Sequence, residues 1–345
     1  LNLLNDVTMK LETISATAPG KIILFGEHAV VYGRPAIAVP VFQVNAKATL
    51  EPRDDETVEI DAVDLRRKYR LAEARAGDPM AAIIRLTCAK LGVEPRGFSV
   101  RVESTIPIGG GLGSGAAVSV AIARALNKFF TTEGTENTEK GKRELNSVSP
   151  VFSVVNLSSA EISALAYEVE KLHHGTPSGI DNTVIAFEQP VYFVKNKPLE
   201  SFRVARPFTL AIADTGIAAP TKIAVGDVRS AWARERARYE MLFDQVGKIV
   251  DKARAAIANG QVERLGYLMR DNQALLREMG VSSPDIERLI LAARTAGARG
   301  AKLSGGGRGG NVICLIDEVT QDVVERALMK AGAKRVIVTT VGSKQ

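Results

Sequence analysis

The stretch Ile106–Ala117, IPIGGGLGSGAA, constrains the chain more than any other, because five of the seven residues from Gly109 to Gly115 are glycine. It stands between two patterns of different period. Before it, Phe98, Val100 and Val102 alternate with polar residues, as in a half-buried strand. After it, Ala116 to Leu126 is apolar nearly all round, which predicts a helix buried in the domain interior. Successive glycines let the backbone approach a ligand and turn its N–H groups inward, and the following helix sets its positive end against the same ligand. The combination reads as a phosphate cradle. It is not the Walker loop, since no Gly-Lys-Ser/Thr follows at the required spacing.

A second glycine run, Ala301–Asn311 (AKLSGGGRGGN), meets the dinucleotide spacing G-x-G-x-x-G at Gly305, Gly307 and Gly310. That fingerprint needs a helix after the glycines, and Asn311–Ile316 (NVICLI) reads as a strand. A glycine-rich hairpin lining a ligand pocket is expected instead. Ser304 would be one polar contact, and Arg308 either a second contact or a solvated side chain.

A third segment, Glu170–Asn182 (EKLHHGTPSGIDN), carries two acids. Ser158 and Glu161 form a capping box, and Ile162, Leu165, Ala166, Val169 and Leu172 make the apolar stripe of the helix it opens. Glu170 borders that stripe, and a half-buried carboxylate needs a cation. Gly175 ends the helix, and the turn Gly175–Gly179 delivers Asp181, which is also expected in a crevice. Two acids near a phosphate cradle suggest one metal ligand and one catalytic carboxylate.

The rest of the chain supplies a frame. Ile14 to Phe25 reads as extended chain interrupted at Ala18-Pro19-Gly20, and Asp78-Pro79 opens a helix that runs to Gly92. Residues 131–150 are polar and aperiodic, which predicts an exposed insertion without structure. Amphipathic helices are expected over 222–258, 261–279 and 284–296. Strands follow at 300–304 and 311–316, then a helix at 319–331 and a strand at 335–341. That order predicts an α+β sandwich with an antiparallel sheet. Two domains are expected, 10–200 and 201–345, with 131–157 inserted in the first and the boundary near Lys195–Arg206.

Composition excludes several classes. A chain of 345 residues that is 46% hydrophobic and 24% charged is of the soluble globular kind. The net charge of +6 is spread along the chain, with no Lys/Arg stripe and stacking aromatics to meet nucleic acid. The two cysteines, Cys88 and Cys314, lie in apolar patterns and have no metal-site spacing, so they read as buried reduced thiols suited to a cytoplasm. No apolar run approaches the ~18 residues of a membrane span. The first residues lack a secretion signal, and Met9-Lys10 reads as the start after a loose leader.

Ala18-Pro-Gly-Lys21 followed by Gly26-Glu27-His28-Ala-Val-Val-Tyr-Gly33 resembles the first motif of the GHMP kinases. The loop at 107–117 is similar to their second motif, and 302–310 to their third. His174–Asn182, HGTPSGIDN, looks like the mevalonate kinase branch rather than galactokinase or homoserine kinase. The resemblance covers the chain from about Ser15, the 131–157 region excepted. It implies an N-terminal ribosomal-protein-like β/α domain and a C-terminal ferredoxin-like domain. It also implies an ATP-dependent kinase of the primary hydroxyl of mevalonate, with phosphomevalonate and the mevalonate 3-hydroxyl as neighbouring substrates. A catalytically weak ATP or metabolite sensor is the alternative from another class. Magnesium and a homodimer come with the family.

Carried over by residue, the resemblance makes Asp181 the catalytic carboxylate and sets Lys21 beside it and the hydroxyl. Glu27, His28 and Thr221 (in APTK) would hold the substrate. Pro107, Gly109, Gly110, Gly111, Leu112, Gly113, Ser114, Gly115, Ala116 and Ala117 would hold ATP, and Glu170 would bind magnesium. His173 has no motif role and reads as a helix-end residue. The family's loop usually reads GLGSSAA, whose second serine is the magnesium ligand. Here that position is Gly115, which leaves Ser114 to serve directly or through water. The third motif reads GGGRGGN where GAGGGGC is common, so Arg308 and Asn311 are departures.

Overall fold

A computed structural model describes residues 13–107, 109–140, 156–174, 177–218 and 221–342, with the backbone alone at 132–140, 173–174, 201 and 221. The Met9 start, residues 141–155 and the turn residues 175–176 lie outside them.

β1 (Ile14–Phe25) pairs antiparallel with the long β2 (Ala36–Pro52), and the register shifts between Pro19 and Gly20. Proline cannot donate to a ladder, so the extended chain is bulged, rather than ended, where the sequence is interrupted. β2 also pairs with β5 (Phe98–Ser104) and β6 (Val191–Phe193). The sheet is completed by β3 (Val58–Ala62), β4 (Arg67–Arg70) and β7 (Glu200–Ser201), and among the described residues only β3 and β5 run parallel. α1 (Pro79–Leu91), α2 (Ser114–Lys140), α3 (Ser159–His174) and α4 (Ile180–Phe187) pack as one layer, with α2 and α4 against β1 and β2.

The expected signals form. Asp78 accepts from the amides of Met80 and Ala81, and Gly92 closes α1 in the left-handed region. The amides of Ser158 and Glu161 each find the other residue's side chain, the reciprocal bonds of a capping box. From Ala116 to Leu126, α2 has no exposed residue.

The second sheet is antiparallel, in the order β11 (Arg335–Val341), β8 (Phe208–Asp214), β10 (Asn311–Ile316), β9 (Gly300–Ser304). Helices α5 (Thr221–Arg234), α6 (Arg236–Ala258), α7 (Val262–Glu278) and α8 (Pro284–Thr295) lie between β8 and β9, and α9 (Gln321–Lys330) between β10 and β11. This β-α-β-β-α-β order is that of a ferredoxin-like unit, with its first crossover enlarged to four helices.

Three details differ from the sequence reading. The backbone of α2 continues to Lys140, into the segment expected to lack structure. A helix already nucleated adds one hydrogen bond for each residue fixed, which carries the backbone on even through the weak helix formers Thr, Gly and Asn of this segment and without an apolar stripe. The helix expected over 222–258 is two, broken at Glu235 (φ −125°, ψ 52°). β2, β3, β4, β6, β7 and β8 add to the expected strands. β8 is a short buried run with no periodicity that separates strand from helix, whereas the second half of β2, with Val44, Ala46, Ala48 and Leu50 buried in alternation, carries a period of two that the sequence reading passed over.

Candidate active site

Lys21, Glu27, His28, Gly111, Glu170 and Asp181 line one cavity of about 410 Å³, closed on its far side by Lys222, Gly226 and Arg229 of α5. They arrive from five segments: β1, the turn after it, the glycine loop, α3 and α4. Lys21 follows the β1 bulge, and its amide donates to Leu112 O at 2.9 Å, which ties the strand to the glycine loop. Gly113 then passes over the lysine stem. It sits at φ 76°, and a Cβ there would lie 2.9 Å from Lys21 Cγ and from Ile185 Cδ1. Only glycine meets both conditions, so this position sets how closely the loop approaches the lysine.

The two acids are fixed by neighbouring helices. Glu170 lies near the end of α3, and Asp181 in the first turn of α4, where the helix dipole favours an anion. Asn182 bonds both the carbonyl and the hydroxyl of Ser163, at 3.0 and 2.9 Å, and so locks α4 to α3. Lys21 Nζ lies 2.9 Å from Asp181 Oδ1. Burial, reinforced by the charge of Asp181, pushes the Glu170 carboxyl up to about 7, against the opposing pull of Lys21. A carboxyl placed at such a cost is set for a cation.

The expected nucleotide segment divides. Pro107, Gly109, Gly110, Gly113, Ser114 and Gly115 form the loop and the first turn of α2, where helix amides have no preceding carbonyl to bond. Leu112, Ala116 and Ala117 have their side chains in the core, so any part they play is through the backbone. The Ala117 amide already donates to Gly113 O at 2.9 Å. Gly115 faces Glu170: a Cβ there would lie 3.2 Å from Oε1. Among the described residues no group of three His, Cys, Asp or Glu could hold a metal ion. A single carboxylate such as Glu170 fits magnesium delivered with nucleotide phosphates, which themselves bring most of the ion's oxygen ligands.

His28 adopts φ 60°, uncommon for a residue with a side chain, and its Nε2 lies 3.0 Å from Gly306 O of the second glycine run. Burial, with Arg308 nearby, lowers its pKa to about 4, so the ring is neutral at physiological pH. Glu27 pairs with Lys302, and both side chains are fully buried. Ser304 is turned away from the cavity, its hydroxyl donating to Ile23 O at 2.8 Å. Arg308 does not line the cavity either. It pairs with Asp227 of α5. Asn311 donates to Gly110 O and so anchors the first glycine run from the second. The side chains of Thr221 and His173 lie outside the described residues.

Sequence reasoning missed Lys222, Arg229, Lys302 and the anchoring role of Asn311. Lys222 and Arg229 are seven residues apart, two turns along one helix face, which was the available signal. Lys302 gave none, because a lysine in a strand is normally solvated.

The GHMP kinases N terminal domain matches residues 79–189, and the GHMP kinases C terminal domain matches 253–334. The chain is 32% identical over 341 residues to mevalonate kinase of Thermococcus gammatolerans, covering 92% of this chain and 94% of that one. With mevalonate kinase of Pyrococcus furiosus it shares 30% over 339 residues, 92% and 94% of the two. Among solved structures, L. major mevalonate kinase in complex with R-mevalonate superposes with a TM-score of 0.78 at 28% identity, over 97% of each chain. Streptococcus pneumoniae phosphomevalonate kinase, at 16% identity and a TM-score of 0.77 over 95% of this chain and all of its own (100%), shares the fold. The first family match spans the glycine loop and both acids, and the second spans the glycine hairpin. Likeness of this extent, falling on the segments that build the cavity, makes the chain a member of the GHMP kinase family of phosphotransferases.

Proposed function

We propose that the chain transfers the γ-phosphoryl group of ATP to the primary hydroxyl of mevalonate, giving 5-phosphomevalonate. The observation that carries this reading is the Lys21–Asp181 pair, set in a cavity beside the amino end of α2. The mevalonate kinase relatives and the R-mevalonate bound to the L. major enzyme supply the acceptor.

Phosphoryl transfer asks a protein for positioning and charge stabilisation. The amides of 109–115 and the amino end of α2 hold the β- and γ-phosphates. The hydroxyl oxygen bonds to the γ-phosphorus as the bond to the β,γ-bridging oxygen breaks, and ADP leaves. Asp181 takes the hydroxyl proton, and Lys21 Nζ steadies the charge that develops on the oxygen. Glu170, with Ser114 directly or through water, would hold the magnesium that comes with ATP. That ion supplies neutralisation of phosphate charge. Glu27, His28 and Thr221 hold the acceptor.

We also read the chain as two domains, 10–200 and 201–345, one around each sheet with β7 at the boundary, and place the enzyme in the cytoplasm. The buried, unpaired Cys88 and Cys314 suit a reducing compartment.

The test is ADP release from ATP with mevalonate, phosphomevalonate and a small panel of alcohols. Phosphorus NMR of the product then separates a CH₂-linked phosphate from one on the tertiary carbon. ADP release only with phosphomevalonate, or a product phosphorylated on the tertiary carbon, would overturn the reading. ATP binding without turnover would favour a sensor.

A further inference from the structure

Glu27 and Lys302 form an ion pair across the molecule, from the turn after β1 to the buried strand β9, and neither side chain has any exposed surface. Lys302 Nζ donates to Glu27 Oε1 and, at 2.6 Å, to Leu303 O. Burial raises the Glu27 pKa and lowers that of Lys302, and their attraction for each other opposes both effects. A fold gains little from such a pair, since apolar residues of similar volume commonly serve as well. Its placement at the cavity wall is the informative part. Glu27 lines the cavity, and its second oxygen, Oε2, is buried with no hydrogen-bond partner among the described residues.

An ionised carboxylate oxygen only accepts, so a ligand that satisfies Oε2 must bring a donor. Resting on the reading above, the acceptor offers three polar groups. Its carboxylate has no proton to give, and its primary hydroxyl is committed to Asp181. The tertiary hydroxyl remains. We propose that Lys302 is a positioning residue that holds Glu27 as a carboxylate with Oε2 turned to the substrate, and that this oxygen accepts the hydrogen bond of the tertiary hydroxyl. The pair thereby selects substrates that carry a second hydroxyl two carbons from the reacting carbon. It also makes that selection depend on β9, and so on the seating of the second sheet against the first.

The test compares mevalonate with 5-hydroxy-3-methylpentanoate, which lacks only the tertiary hydroxyl. Wild type, Lys302→Met and Glu27→Leu/Lys302→Met are assayed with ATP. Wild type should favour mevalonate in kcat/KM by about tenfold or more, the scale of one buried charged acceptor left unpaired. Lys302→Met should lose most of that preference, through a raised KM for mevalonate, with KM for ATP unchanged. The double variant leaves no unpaired charge in the core, so it guards against a single variant that fails to fold, and it should lose the preference as well. A preference kept at the wild-type level in whichever variant folds overturns the proposal, because a merely structural lysine would affect both substrates alike. Equal use of both compounds by wild type also overturns it and leaves the kinase reading standing. If wild type turns over neither compound, both readings fall.

Discussion

Lys21 Nζ and Asp181 Oδ1 are 2.9 Å apart, yet the lysine side chain is 4% exposed and the aspartate 31%. The cation is built into the wall and the anion reaches the cavity, which gives the two unequal tasks. Lys21 is a fixed charge held by the glycine loop. Asp181 is the member that can meet a substrate proton.

Asp181→Asn should therefore keep nucleotide and acceptor binding while kcat falls by roughly 10²-fold or more, the scale of a lost general base. The amide still accepts from Lys21, so the wall is kept. Steady-state kinetics and direct binding of both substrates check this, and near-wild-type turnover would take Asp181 out of the proton transfer.

Glu170 gives the ligand-free protein a pH signature. Its folded pKa of about 7 lies above the ordinary value of 4.5, so the folded state binds the extra proton. The associated stability is complete below about 4.5 and is lost as pH rises through 7, on the order of 3 kcal/mol. Relative to Glu170→Gln, wild type should lose stability over this window, as measured by denaturant unfolding at each pH. Binding of the magnesium–nucleotide complex near pH 6.5 should release a proton in wild type and not in the variant, which calorimetry in buffers of different ionisation enthalpy reads. The variant should also need more magnesium for activity, because a neutral amide is a poor ligand for a hard cation.

Gly115→Ser tests the missing oxygen ligand. Gly115 lies in the first turn of α2 with no positive φ, so its backbone accepts a side chain. The new Cβ would meet Glu170 Oε1 at 3.2 Å, close enough to require a shift of a few tenths of an ångström. The serine hydroxyl would then stand beside the carboxylate. The magnesium concentration for half activity should fall several-fold, or kcat should rise. A titration of initial rate with magnesium at saturating substrates decides it. An unchanged or weakened response would assign the native solution to Ser114 or water.

Asn311→Ala removes the side-chain donor to Gly110 O and leaves that carbonyl without its anchor. KM for ATP should rise by about tenfold, in keeping with the loss of one hydrogen bond that orders a binding loop. KM for the acceptor should change much less. Equal effects on both would mean that Asn311 supports the whole cavity rather than the nucleotide loop.

By itself the sequence determined the local structures whose signals are short-range. The Asp78 cap, the Ser158–Glu161 box, the glycine loop feeding α2 and the strand after the second glycine run all follow from periodicity and backbone freedom. The three segments that carry chemistry were legible for the same reason. Tertiary structure alone decided what lies across from them. Lys302 is a buried partner of Glu27 only because β9 docks behind the turn after β1, 275 residues away in sequence. Asn311 anchors a carbonyl 201 residues earlier, while Ser304, read as a ligand contact, is consumed by the backbone of β1. Hydrogen bonds and ion pairs depend on distances in space, and a linear pattern encodes those only within an element. Between elements they are set by how the two sheets and their helices pack.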